Sequence, residues 1–161
     1  MLSYRGHGLG EITVGIGFGP VIVLGAYYIQ AQRLSYLPLI ASIPIGILIL
    51  LVLLINEFPD QEADKKTGKH TLTVVLGKKS AAGLYVVLLL FVYLTTLLFV
   101  IAHILPKLSL ICFFTVPLAV KAAKIILANW NVTNKLIPAS SATIALHLFF
   151  GLLLTLSFVL H

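Results

Sequence analysis

The chain alternates long apolar runs with short polar breaks. Uncharged stretches run from Ile12 to Gln32, Leu34 to Asn56, Ser80 to Pro106, Leu108 to Val120 and Leu136 to Leu160. A helix needs roughly 20 apolar residues to cross the hydrocarbon of a bilayer, and all but the fourth run reach that length. The fourth reaches it if Lys121 and Lys124 snorkel from its last turns. Five membrane-spanning helices follow, and the pattern predicts an all-α polytopic bundle with no soluble domain and no internal repeat. Gly15-x-x-x-Gly19 in the first run lets a second helix approach closely. Pro44 and Gly46 predict a bend in the second.

One break differs from the rest. Residues 56–79 read Asn-Glu-Phe-Pro-Asp-Gln-Glu-Ala-Asp-Lys-Lys-Thr-Gly-Lys-His-Thr-Leu-Thr-Val-Val-Leu-Gly-Lys-Lys, and they hold four of the five acidic residues, Glu57, Asp60, Glu62 and Asp64. If the first part is helical, steps of four place Asn56, Asp60 and Asp64 on one stripe, because each step advances only about 40°. Glu62 points elsewhere, four residues before Lys66, in the order that favours a helical ion pair. Pro59 suits the opening of a new short helix beyond the membrane, and Gly68 a stop. Between Lys69 and Gly77 the alternating, β-branched residues predict an extended segment.

Two carboxylates and an amide facing one point, with Lys65, Lys66 and Lys69 behind them, suit Mg²⁺ carrying a phosphorylated ligand. The same residues also suit a solvated loop that keeps two spans apart. Glu11, the one carboxylate outside this loop, reads either as a helix-start anion complementing the macrodipole or as a further lining residue of the Asp60 and Asp64 cavity. Lys121 and Lys124 share a face, and beyond snorkelling the alternative is a diphosphate contact. His147, near mid-depth in the last run, reads as a satisfied packing histidine, with a catalytic histidine as the alternative.

Composition excludes an ordinary soluble domain. Of the 161 residues 60% are apolar and only 10% charged, against about a quarter charged in soluble domains. The net charge of +6 concerns orientation here and not nucleic acid. With the amino end inside, Arg5, Lys65, Lys66, Lys69, Lys78, Lys79, Lys121, Lys124 and Lys135 are cytoplasmic, and only Arg33 and Lys107 are outside. That bias places the acidic loop in the cytoplasm and discounts Asn131-Val-Thr133 as a glycosylation acceptor. Cys112 is alone in an apolar run, so no disulfide or cysteine metal site is expected.

Taken together, Tyr4-Arg-Gly-His-Gly-Leu-Gly-Glu11 before one span and the long run Asn56 to Gly77 after the next resemble the UbiA superfamily of intramembrane aromatic prenyltransferases. The branch most similar is the dihydroxynaphthoate polyprenyltransferases. Leu136-Ile-Pro-Ala and Thr143-Ile-Ala-Leu-His-Leu add support. The resemblance implies a fold of nine helices around a central cavity, with two aspartate-rich motifs, and matches the five spans to its last five helices. It implies that Asp60 and Asp64 are the second motif, binding Mg²⁺ and through it a polyprenyl diphosphate, with Lys66 and Lys69 as diphosphate contacts; Asn56 beside the metal, and Glu11, Lys121 and Lys124 as further substrate contacts, are candidates from the residue pattern. The acceptor implied is 1,4-dihydroxy-2-naphthoate, and the location a bacterial or archaeal inner membrane among membrane lipid.

The family's first motif, N-x-x-x-D-x-x-x-D, has no counterpart in this sequence. The expectation is therefore a single domain forming the C-terminal part of a larger one, inactive alone unless a separately encoded N-terminal half supplies the rest. The rival readings are a small membrane transporter with Asp60 and Asp64 as a cation vestibule, and a non-catalytic lipid-binding or assembly subunit.

Overall fold

The computed structural model describes residues 9–160. The lead-in through Gly8, with Arg5 among the expected inside cations, lies outside them. Five helices are long and apolar enough to cross a membrane: α1 (Leu9–Ala31), α2 (Tyr36–Lys66), α4 (Lys78–Ile101), α5 (Lys107–Asn129) and α6 (Thr133–Val159). A fifth of their size, α3 (Leu72–Leu76) lies in the connection between α2 and α4. The described residues form no strand.

The bundle is organised around α2. Leu48, Leu51, Leu54, Ile55 and Phe58 on this helix are at most 1% exposed, and α2 packs against α1, α3, α4 and α6. Their spacing of three and four carries one apolar stripe into the centre. At 31 residues the helix is about 46 Å long, against a hydrocarbon core of about 30 Å. Its apolar part ends at Ile55, so the turns from Asn56 to Lys66 stand clear of the spanning segment. Positions on the outside of the bundle such as Phe18, Leu90, Phe114 and Leu152 are large, apolar and exposed, a surface that suits acyl chains or further apolar helices.

Helix α1 meets α2 through glycines. A Cβ on Gly19 would lie 2.6 Å from the Gly46 Cα, and one on Gly15 would lie 3.0 Å from the Gly46 carbonyl oxygen. The expected close approach is therefore made, with Gly46 as the partner. Pro20 has no N–H to give, and the helix widens into a π turn over Gly17–Val21, the common way of absorbing such a gap. In α5 a 3₁₀ stretch, Lys107–Thr115, precedes the α-helical Val116–Asn129.

Three pairs of hydroxyl side chains join helices inside the bundle. Tyr85 and Thr143 hydroxyls join α4 to α6 at 2.6 Å, Tyr93 and Thr115 join α4 to α5 at 2.8 Å, and Ser109 and Ser157 join α5 to α6 at 2.9 Å. Where water is absent such groups need partners.

Two local expectations are corrected. Pro59 does not open a new helix: α2 continues unbroken through both Pro44 and Pro59. Each ring deletes one backbone donor, a loss that packing on four neighbouring elements offsets. Residues 72–76 are not extended but helical, with the Val74 and Val75 N–H groups both donating to the Thr71 carbonyl. Here tertiary anchoring overrides β propensity.

Candidate active site

The spans alternate in direction, so the start of α1, the end of α2, the start of α4, the end of α5 and the start of α6 gather at one end of the bundle. Contacts between them confirm the grouping. Ser140 at the start of α6 donates to the Asn56 side-chain oxygen at 2.6 Å, and Leu72 N–H in α3 donates to Glu11 Oε1 in α1 at 2.7 Å.

Asp60 and Asp64 lie one turn apart on the protruding part of α2. Their environments differ. Asp60 is exposed, whereas Asp64 is 8% exposed and its carboxylate lies 3.1 Å from the Lys69 ammonium. The helix stop brings Lys69 there. Gly68 takes φ +72°, a left-handed conformation that costs a residue with a Cβ. The Lys69 N–H then returns to the Asp64 carbonyl at 2.9 Å, which also accepts from Thr67 Oγ1 at 3.0 Å. The chain's fold thus sets a cation on one of the two predicted metal carboxylates.

Asn56 is on the same side of α2 but is engaged by Ser140. Lys66 is exposed, and no ion pair joins it to Glu62, so the expected helical pair is not formed. Lys121 and Lys124 are exposed on α5. The donor set on α2, two carboxylates and an amide, is all hard oxygen, the kind that suits Mg²⁺ with waters and phosphate completing its shell. Among the described residues no group of three or more His, Cys, Asp or Glu is placed to hold a metal. The residues therefore fit part of such a site, with positions left for a ligand and further donors.

Sequence reasoning passed over Glu57. It is 7% exposed and lies near Glu11, itself 2% exposed. Burial first, then the neighbouring Glu11 carboxyl, push the Glu57 carboxyl up to about 9, and Asp64 adds to the effect while the Thr73 backbone opposes it. Glu57 stands one residue after Asn56 on the stripe that includes Phe58, and that apolar register was the signal for its burial. Glu11 does not stand on the exposed stripe with Asp60. Its carboxylate complements a helix start, as one of the two sequence readings had it, though the helix is α3 and not its own.

His147 departs from its expectation. Its Nδ1 is buried with no hydrogen-bond partner, so it is not a satisfied packing histidine. The residue lines an apolar groove of about 680 Å³ between α1, α2 and α6, together with Tyr27, Ile45, Gly151 and Phe158.

Five apolar helices with most of their charged groups at one end define an integral membrane protein of the polytopic helical-bundle class. The chain belongs to the UbiA prenyltransferase family, whose model matches residues 2–153, as the run from Asn56 to Gly77 had suggested. It is similar to 1,4-dihydroxy-2-naphthoate octaprenyltransferase of Bacillus subtilis (strain 168), 32% identical over 94% of this chain and 48% of the relative. It is also similar to 2-carboxy-1,4-naphthoquinone phytyltransferase of Synechocystis, 29% identical over 91% of this chain and 48% of the relative. UbiA prenyltransferase domain-containing protein 1 of Homo sapiens is 33% identical over 58% of this chain and 28% of its own. The chain thus spans about half the length, or less, of these relatives. No solved structure matches.

Proposed function

We propose that this chain carries one half of the active site of a prenyltransferase that moves a polyprenyl group from its diphosphate to an aromatic acceptor, 1,4-dihydroxy-2-naphthoate, in menaquinone synthesis. The observation that supports it best is the pairing of Asp64 with Lys69 at 3.1 Å, one turn from Asp60. A carboxylate pair with a solvent-exposed ammonium beside it suits a metal-bound diphosphate.

In this reading Asp60, Asp64 and Asn56 hold Mg²⁺, which when bound neutralises charge on the diphosphate. Lys69, whose side chain is 68% exposed, swings from Asp64 to the diphosphate oxygens as the leaving group gathers charge. Lys66, exposed on the next turn, contributes a second cation. Preorganised cations aimed at developing negative charge lower the barrier more than they would in water. The apolar bundle below keeps water from the reacting allylic carbon. The charge bias of the loops supports a cytoplasmic position for this end, where Mg²⁺ and diphosphates are supplied, in a bacterial or archaeal inner membrane. The other acidic motif and the remaining spans come from further polypeptide.

The test is protection of the 67–71 segment from trypsin in membrane vesicles. Geranylgeranyl diphosphate with Mg²⁺ is expected to slow cleavage at Lys69, and neither Mg²⁺ alone nor simple salts should do so. Equal protection by salts would favour a cation vestibule and remove the diphosphate role.

A further inference from the structure

The end of the bundle far from Asp60 holds a basic pocket that the proposed transfer leaves without a task. It encloses about 570 Å³ where the turn after α4 and the start of α5 meet the start of α2 and the end of α6, and His103, Lys107, Leu105, Leu37 and Phe158 line it. All five acidic side chains, Glu11 and the four within residues 57–64, belong to the opposite end. Neither basic group therefore has a carboxylate side chain to meet.

The turn that brings them together is strained. His103 takes φ +57°, a left-handed conformation that helix ends usually assign to glycine. The Ile104 and Leu105 N–H groups both donate to the Phe99 carbonyl, at 2.9 and 3.1 Å, and Leu105 and Pro106 are buried beneath the reversal. His103 and Lys107 are thus held on one cavity. Strain of this kind gathers at ligand sites.

Leu37 and Phe158 also line the apolar groove that reaches His147, so pocket and groove share a wall. Polarity falls along the path they form. Lys107 and His103 stand at the mouth, Tyr27 and Ser35 line the near part of the groove, and Ala41, Ile45 and Gly151 line the part beyond. From Phe158 to His147 is 11 positions, or about 16 Å of helix, close to half of a hydrocarbon core of about 30 Å. That is the depth of one leaflet, and of one acyl chain.

We propose that pocket and groove form one binding site for an anionic phospholipid, with its phosphate at Lys107 and His103 and one acyl chain between α1, α2 and α6. The ammonium and the imidazole N–H are the donors that a phosphodiester needs, and basic pockets between spanning helices suit such head groups. A free phosphate would leave the adjoining groove without a role, which commits the site to a lipid. Nothing in this inference rests on Asp60, Asp64 or the transfer reaction.

The experiment adds a trace of phosphatidylglycerol carrying a diazirine at mid-chain to the full chain in phosphatidylcholine vesicles, and maps the adducts by peptide after illumination. Lysines at the Asp60 end also attract anionic lipid, so only adducts on residues 37–45 and 147–158 count. These are expected to exceed those of a phosphatidylcholine probe with the same chains by about fivefold, the worth of one cation at a membrane surface. Lys107→Gln should bring them down to the phosphatidylcholine level, and Lys107→Arg should keep them. His103→Gly should lower them yet unfold in detergent at the wild-type temperature or above, because glycine relieves the left-handed backbone; a merely structural His103 would give the opposite pattern. Gly151→Leu, whose Cβ would lie 3.8 Å from Ile45 Cδ1, fills the groove and should lower the adducts of both probes; if it does not insert, the two Lys107 variants decide alone. Equal labelling by both probes would overturn the site, as would competition by free glycerol phosphate, the mark of a free anion. An absence of groove adducts, with a second copy or a further helix filling the space, would overturn it too.

Discussion

Asp60 and Asp64 carry the same charge one turn apart, but their settings make their substitutions distinguishable. Asp64 is 8% exposed and paired with Lys69, whereas Asp60 is exposed. The Lys69 end of that pair is well solvated, so the ion pair contributes no more than about 1 kcal/mol. Thermal unfolding in detergent should therefore show Asp64→Asn destabilised by up to about 1 kcal/mol and Asp60→Asn within about 0.5 kcal/mol of wild type. Both should lose diphosphate protection of Lys69 to a similar extent, at least about tenfold for the loss of a charge-assisted ligand. Similar loss of binding with dissimilar loss of stability would mark a shared ligand role. If only Asp64→Asn lost protection, the effect would be traced to loop anchoring, and Asp60 would have no part in the site.

At the scale of elements, the junction of α1 with α2 is the most sharply tested by a single methyl group. A Cβ on Gly19 meets Gly46 Cα at 2.6 Å and Gly46 N at 2.9 Å, both backbone atoms that no rotamer change can move. Gly19→Ala should force the helices apart and lower stability by about 1–3 kcal/mol, the usual cost of overpacking. Gly25→Ala, with nothing within 4 Å of its Cβ, should be neutral in the same unfolding measurement, and equal behaviour of the two would mean that the crossing does not depend on the glycines. This contact was legible beforehand because small residues four apart have one common use in a membrane helix. So were the five spans, since each long uncharged run became one helix. What was not legible depended on distant partners. The run Leu72 to Leu76 has a strand's composition, and its helical form rests on Glu11, 61 positions away. Pro59 looked like a boundary because its local effect is to break helices, while its neighbours across the bundle hold the helix together. The stripe of Asn56, Asp60 and Asp64 was read correctly as one side of a helix, but the differing burial of its members and the inward turn of Glu57 are set by what packs against α2.

Across the whole molecule, cover is uneven. In α2 44% of the most apolar window is buried, and in α1 only 11%, because α1 packs on α2 but not on the spans beyond it. Phe18 and Val21 on α1 are 56% and 62% exposed, and Leu148 and Leu152 on α6 are 56% and 57% exposed beside the groove that holds His147. Lipid can cover such faces, but so can further helices, and the relatives are about twice as long as this chain. Two carboxylates also leave most of a six-oxygen Mg²⁺ shell to other donors. Both arguments lead to one expectation: the 161-residue chain in vesicles should transfer no radiolabelled geranylgeranyl group to 1,4-dihydroxy-2-naphthoate above background. Co-expression with a polypeptide supplying four more spans and an N-x-x-x-D-x-x-x-D loop should restore transfer, and should shield a cysteine at Phe18 or Leu152 from a membrane-soluble thiol reagent. Shielding without transfer would keep the assembly and remove the chemistry. Transfer by this chain alone would mean that Asp60, Asp64 and the lysines beside them suffice, and the division of the site between two halves would be wrong.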